Sequence, residues 1–342
     1  MRAIEGDLPT AGFYADFAEH EAVDSPVFRA WAQGVAQDGE VLALLGELPE
    51  AKRQPNLVFA AARWHGADTA EPRYEALREV LASRWAAVRA TIESRSTQTN
   101  EAGRCATLLP ELARIEGPVA LLEVGAAAGL CLLPDRYSYE FTVSGPAGPG
   151  GPPATDGSSV RLDPVDGPSP VVLECALTGI EPPTRLPDVV WRGGLDLNPL
   201  DVGDDDAMAW LETLVWPGHE ARRERLRAAV GVARGLARGE ALHLRRGDLA
   251  EDLPALVAEA RAAVPGATVV VQHSAVLAYC SAEVRERFAE VVQRQADVWL
   301  ANEGSSILPG MPEPERRPAF VLARDGRAVA FTQPHGAWAW AV

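Results

Sequence analysis

The stretch Gly117-Pro118-Val119-Ala120-Leu121-Leu122-Glu123-Val124-Gly125-Ala126-Ala127-Ala128-Gly129 decides how the rest of the chain is read. Residues 119–124 form a short, nearly continuous apolar run that stops at a glycine. Such a run predicts a strand buried on both faces, as in a parallel sheet. Glycines at a strand-to-helix turn let the backbone approach a ligand closely. A helix starting there offers free amides and a positive dipole end. The spacing is not that of a dinucleotide loop. G-x-G-x-x-G would need glycine where Ala127 and Leu130 stand. It fits acid-x-Gly-x-Gly-x-Gly with the middle glycine replaced by Ala127.

On the C-terminal side the same grammar repeats. Short apolar runs at 189–191, 241–244, 267–271 and 298–301 read as further strands. Helical segments separate several of them, marked by Leu226 and Val230, by Leu253, Leu256 and Val257, and by Val284, Phe288 and Val292. Pro254 suits a first turn and Ser281 a cap. Strands alternating with helices predict an α/β fold with a mostly parallel sheet. Residues 319–322 and 329–331 read as a closing antiparallel hairpin, with Asp325-Gly326 in its turn. The segment 137–180 is an insertion. Its centre, 144–170, is crowded with Gly, Pro, Ser and Asp and reads as flexible, with a hairpin suggested by the apolar pieces on either side.

On the N-terminal side, 10–115 reads as helical. Asp24-Ser25-Pro26 is a start signal followed by Val27, Trp31 and Val35. Tyr74, Leu77, Leu81, Trp85, Val88 and Ile92 recur at helical spacing. Two domains follow: a helical one over 1–116 that lids the site, and a sheet domain over 117–342.

Composition limits the function classes. The 342 residues carry a formal charge of -16, which opposes general binding to phosphate backbones. The arginines of 221–237 read as a solvated helix face. Cys105, Cys131, Cys175 and Cys280 are scattered and form no CxxC pair, which predicts neither a zinc site nor a disulfide framework. No apolar run reaches about 18 residues. The expectation is a cytoplasmic protein with a small-molecule substrate, without metal, nucleic acid or membrane partner, and with a homodimer left open.

The remaining signals sit where strands end. Gly194-Leu195-Asp196-Leu197-Asn198-Pro199 closes the second core strand, and an acid there accepts both hydrogen bonds from a ribose diol. The gap from the glycine loop is roughly 65 residues where about 20 is usual; the insertion absorbs the excess. A plain capping role suits Asp196 and Asn198 as well. Arg246-Gly247-Asp248-Leu249 ends the third strand. Gln272-His273-Ser274-Ala275 ends the fourth, which puts His273 near reacting atoms as a general base, or in a structural hydrogen bond. Tyr279 lines the pocket or the core, and Glu303 ends the last parallel strand; both stand with His273 as catalytic candidates. Upstream, Gln98-Thr99-Asn100-Glu101-Ala102-Gly103-Arg104 is polar where the chain re-enters a core. Pro334-His335-Gly336 is a fixed loop that either returns to the site or closes the sheet.

Glu123–Gly129, Gly194–Pro199 and Gly247-Asp248 resemble the class I S-adenosylmethionine-dependent methyltransferase superfamily. More closely, the chain is similar to a bacterial family known as domain of unknown function 2332. The segments that carry this are Arg53–Leu57, Thr97–Arg104, Leu121–Leu133, Trp191–Val202, His273–Tyr279 and Pro334–Trp338. The resemblance implies a Rossmann-like sheet. It implies S-adenosylmethionine held by Glu123, Gly125, Ala127, Gly129, Asp196, Leu197, Asn198, Asp248, Leu249 and His273. In that plan Asp248 takes the adenine amino group, Arg104 grips the methionine carboxylate, and Gln98 and Asn100 assist. The expected activity is methyl transfer to a small molecule. Aminocarboxypropyl transfer or cyclisation, and a non-catalytic protein on a degenerate fold, stay open.

Overall fold

The computed structural model describes residues 10–98, 100–145, 155–236, 242–314 and 319–342. They divide into two compact units. The first takes the chain up to Thr99 together with Asp205–Glu224; the second takes Asn100–Asp204 and Arg225–Val342. A boundary drawn at 116/117 thus lies inside the second unit.

The first unit is helical: α1 (Thr10–His20), α2 (Pro26–Gln37), α3 (Gly39–Gly46), α4 (Pro55–Trp64), α5 (Tyr74–Ser94) and the later α7 (Asp205–Leu214). The start signal before α2 works as read. Ser25 Oγ accepts from the Phe28 amide at 3.4 Å, and Pro26 occupies the first turn. Val27, Phe28, Trp31, Ala32 and Val35 then fall on one buried stripe. Phe59 is the hub of this core, with Tyr14, Phe17, Phe28 and Trp31 around it at centroid distances of 5.8, 6.2, 5.1 and 5.5 Å. These are edge-to-face contacts, which suit the quadrupole of each ring. Arg95, in the polar stretch after α5, sits over Trp64 and Trp210 at 4.6 and 5.1 Å. Trp210 in turn donates to the Ser96 carbonyl at 2.9 Å.

Among the described residues, the second unit is built on one mixed sheet of eleven strands. They are β1 (Pro118–Val124), β2 (Ser138–Ser144), β3 (Thr155–Leu162), β4 (Val172–Thr178), β5 (Asp188–Asp196), β6 (His243–Arg246), β7 (Thr268–Ser274), β8 (Val298–Gly304), β9 (Phe320–Arg324), β10 (Arg327–Thr332) and β11 (Trp338–Ala341). Their order is β3-β2-β4-β11-β10-β9-β8-β7-β1-β5-β6. The block β6-β5-β1-β7-β8 is parallel throughout. The chain enters it at β1, fills one side with β5 and β6, then the other with β7 and β8. The winding therefore reverses between β1 and β7, and in open α/β sheets ligands sit outside the carboxyl ends of the strands at such a point.

Both faces of this block are covered, which is why its strands read as continuous apolar runs. Leu108 and Leu112 of α6 (Arg104–Leu112) pack with Val119, Leu121, Val270 and Leu300 on one face. On the other, α9 (Leu253–Ala263) and α10 (Ala282–Gln295) set Leu256, Val257, Phe288 and Val292 against Ala120, Leu122, Val269 and Val271. Each such side chain contributes about 1.5–3 kcal/mol when fully buried. The division between the units falls within α8 (Glu220–Arg234).

Three expectations change. The insertion is not a lone hairpin. β2 and β3 are antiparallel, but β2 also pairs in parallel with β4, and β4 with β11, so the segment widens the sheet. Residues 146–154 of its Gly/Pro-rich centre lie outside the described residues. The third core strand starts at His243, and Ala241 is likewise outside them. Finally, no α-helix follows the glycine loop; Leu130–Leu132 make one 3₁₀ turn. The closing hairpin is as read, with Asp325 and Gly326 both left-handed at φ 52° and 79°. Among the described residues no helix is long and apolar enough to cross a membrane.

Candidate functional site

The glycine loop is held from three sides, and its own amides do the holding. Gly125 and Ala126 donate to the Leu195 carbonyl at 2.8 and 3.1 Å, and Gly129 to the Ala126 carbonyl at 2.6 Å. The Ala127 amide donates to Asp196 Oδ2 at 2.8 Å. Asn100 brackets the loop: its Oδ1 accepts from the Leu130 amide at 3.0 Å and its Nδ2 donates to the Ala126 carbonyl at 3.3 Å. Donors that a pyrophosphate would need are thus engaged internally, and the helix end that would add to them is missing. Close approach explains the first glycine. A Cβ on Gly125 would lie 2.2 Å from Val276 Cγ2, and the residue has φ 71°. Ala127 adopts φ 48° without being glycine, the kind of local strain that collects at functional loops.

Asp196 ends β5 beside this loop. Its Oδ1 also accepts from the Asn198 amide at 2.7 Å. A carboxylate has about four acceptor positions, so each oxygen keeps capacity for one more donor. Leu197, next in the chain, is 73% exposed, an uncommon setting for leucine and a ready apolar shelf. Asn198 Oδ1 accepts from Arg246 at 3.4 Å. Asp248 caps the turn that follows β6: its Oδ1 accepts from the Ala250 and Glu251 amides at 2.8 and 3.0 Å. Leu249 packs on the core beneath. Asp196, Leu197, Asn198, Asp248 and the loop therefore share the carboxyl end of the β1, β5 and β6 strands.

Glu123 and Gln272 are register neighbours on β1 and β7, at the reversal point. Both are buried, and Glu123 Oε2 and Gln272 Oε1 have no hydrogen-bond partner among the described residues. Burial pushes the Glu123 carboxyl well above the usual carboxylate range, while the Arg104 guanidinium pulls it the other way. The contact with Cys105, and then burial, raise the neighbouring Cys131 thiol.

The upstream and fourth-strand candidates are placed differently from the expectation. Arg104 is 5% exposed and donates to the Pro334 and Ser274 carbonyls, both at 3.0 Å. It ties the C-terminal loop to the end of β7 through Nε and Nη1, which commits part of the fork a carboxylate clamp would use. His273 is wholly buried. Trp299 Nε1 donates to its Nε2 at 3.0 Å, and its Nδ1 faces Glu303 Oε1 at 2.7 Å. An indole N–H only donates, so Nε2 is the acceptor and Nδ1 carries the proton. A general base needs a nitrogen within reach of substrate, and His273 has both engaged inside the core. Glu303 is its anchor: the same Oε1 accepts from the Val276 and Leu277 amides at 2.9 and 3.2 Å. These two residues lock the turn after β7. Tyr279 follows that turn and is 54% exposed. Gln98 belongs to the helical unit.

Pro334-His335-Gly336, read from the sequence as returning to the site or closing the sheet, comes to the carboxyl end of the parallel block, where Arg104 joins Pro334 to Ser274. A Cβ on Gly336 would meet the Gly103 carbonyl oxygen at 1.9 Å, and one on Gly103 would meet the His335 oxygen at 2.3 Å. His335 Nδ1 lies 3.8 Å from Glu101 Oε2. The signal was the glycine in each segment, whose meaning needed the other. Among the described residues no three His, Cys, Asp or Glu side chains gather to hold a metal ion.

A family model described as "Uncharacterized protein conserved in bacteria (DUF2332)" matches residues 11–340. No curated protein matches.

Proposed function

The chain belongs to the DUF2332 family of bacterial proteins, and for it we propose an S-adenosylmethionine-dependent transferase activity, methyl transfer to a small molecule in the first place. One observation carries the reading. An acceptor-only carboxylate, Asp196, is bonded to the glycine loop, with exposed Leu197 beside it at the carboxyl end of the parallel block. A nucleoside without phosphates needs just these: acceptors for its hydroxyls and an apolar surface for its base. The engaged loop amides weigh against a dinucleotide for the same reason.

The residues present fit the adenosine end of such a cofactor. Asp196 would accept from the ribose hydroxyls and Leu197 would lie against the base. They fit the other end less well, since Arg104 is committed to two backbone carbonyls. When bound, S-adenosylmethionine supplies an electrophilic carbon on a positively charged sulfur. The protein's share is to align an acceptor, exclude water and take up a proton.

Ala127 and the self-satisfied loop also favour a second reading, a non-catalytic protein on this fold. Incubation with labelled S-adenosylmethionine and a pool of small molecules separates the possibilities. S-adenosylhomocysteine as product supports methyl transfer. Methylthioadenosine supports transfer or cyclisation of the aminocarboxypropyl arm. No turnover by a folded, cofactor-binding sample supports the scaffold.

A further inference from the structure

We propose that Glu123 and Gln272 hold one proton between them in the ligand-free protein, with Glu123 Oε2–H donating to Gln272 Oε1, and that this proton leaves when a cationic ligand occupies the end of the sheet. The second half rests on the transferase reading above, and names how that site responds to pH.

Geometry supports the shared proton. Glu123 and Gln272 are register neighbours on β1 and β7. Alternation along the strands puts both on the face of Leu121 and Val270, which α6 covers. Neighbouring strands lie about 4.8 Å apart, so two side chains of equal length on one face run side by side. Their tips do reach one common residue. Gln272 Nε2 donates to the Cys131 carbonyl at 2.8 Å, and the Cys131 thiol meets the Glu123 carboxyl.

Chemistry then fixes the role of each atom. A carbonyl only accepts, so the Gln272 amide turns its NH2 to Cys131 and leaves Oε1 as an acceptor. Glu123 is 4% exposed and Gln272 0%, and neither Oε1 of Gln272 nor Oε2 of Glu123 has a hydrogen-bond partner among the described residues. Two acceptors side by side repel. One proton on Oε2 makes them a donor and an acceptor, and satisfies both buried atoms at once. The Cys131 thiol does not supply that hydrogen, because it donates to the Glu101 carbonyl at 3.3 Å. Burial holds the carboxyl on the neutral side, Cys131 adds to it, Arg104 opposes it, and Asp196 again favours the neutral form. Around Glu123 stand Arg104 from α6, Cys131 from the 3₁₀ turn with Cys105 behind it, Tyr137 ahead of β2, and Asp196 at the end of β5. Arg192, on the same face of β5, is paired with Asp135.

The link to a ligand follows from charge. Glu123 already feels the charge of Asp196. A cation brought to that strand end favours the ionised form of Glu123 too. In that step the O–H bonding pair stays on the carboxylate and the proton passes to solvent. Because binding releases a proton, affinity for a cation rises with pH, by up to about tenfold per unit, until Glu123 ionises without ligand. A neutral ligand of the same shape lacks this dependence.

The test starts without ligand. The full chain, labelled with 13C at the glutamate and glutamine side-chain carbonyls, is read by NMR at pH 7, with E123Q and Q272M assigning the two signals. Glu123 is expected as a neutral acid. The Gln272 signal is expected to match in the wild type and in E123Q, whose amide N–H still donates, and to shift in E123M, which has no donor. An ionised Glu123 overturns the shared proton, and so does a Gln272 signal that is the same in all three. Calorimetry at pH 7 in two buffers of different protonation heat then counts protons. S-adenosylmethionine, with its sulfonium charge, should release about half a proton or more beyond S-adenosylhomocysteine, which lacks that charge, and E123Q should abolish the difference. Equal release by both overturns the linkage. Failure of the wild type to bind either ligand refutes the cofactor reading instead, and the carboxyl signal still decides the shared proton.

Discussion

The backbone amide of Ala127 donates to Oδ2 of Asp196 across 2.8 Å, so the strand-end acid and the glycine loop hold each other in place. Asp196 also fixes the Asn198 amide. Asp196→Ala removes both acceptors and the proposed ribose contact. Cofactor affinity should weaken by about 1–3 kcal/mol, the scale of lost hydrogen bonds to a charged group. Calorimetric titration checks it, with a thermal melt to confirm folding. Unchanged affinity would take Asp196 out of the site.

Ala127 is held at φ 48°, where a side chain is disfavoured by about 1–2 kcal/mol. Ala127→Gly relieves this but loosens the unfolded chain by about 0.4–1 kcal/mol. Net stability should stay within about 1 kcal/mol of the wild type, on the favourable side. Ala127→Val, β-branched at the same φ, should lose about 2 kcal/mol or more. Urea denaturation of both variants reads this directly. A valine variant as stable as the wild type would mean that the loop does not hold this conformation.

Glu123 gives a pH dependence with a definite sign. Burial raises its folded-state carboxyl above the unfolded value. In the window between the two, the folded protein binds more proton than the unfolded one. Stability associated with Glu123 is therefore full below the ordinary carboxylate range and lost as pH rises towards the raised value, at up to about 1.4 kcal/mol per pH unit. Glu123→Gln should abolish that slope and be the more stable protein at pH 7. Parallel denaturation curves at several pH values test it; identical slopes would mean that Glu123 is ionised at no cost.

His273 should behave as a core residue. His273→Ala leaves Glu303 and Trp299 without their shared partner and opens a cavity, for a loss of about 3 kcal/mol. Cofactor affinity of the remaining folded fraction should be near normal. A variant of native stability that has lost only turnover would return His273 to the catalytic role.

The parallel block was legible in the sequence because strands covered on both faces must be almost wholly apolar, as 119–122 is. The hairpin was legible because Asp325-Gly326 meets a requirement for two left-handed residues. By contrast, β2, β4 and β11 were not legible as parts of one sheet. β11 joins β4 across about 160 positions, as with Ala176 and Trp338, and β2 pairs β4 in parallel across the whole insertion, as with Ser138 and Val172; local pattern carries no such information. The site divided in the same way. Asp196 and the glycine loop announced themselves by position after a strand. Arg104 and His273 did not reveal their commitments, because Pro334 O and Trp299 Nε1 are contacts made only by folding. The Glu101–His335 approach was hidden for that reason too.

Binding decides the central claim before any acceptor is known. Purified full-length protein should be titrated calorimetrically with S-adenosylmethionine and S-adenosylhomocysteine, with NAD as control. Micromolar binding of a sulfur ligand, weakened in Asp196→Ala, with no heat from NAD, is the predicted result. A folded sample that binds neither sulfur ligand would contradict the account and leave the scaffold reading in its place.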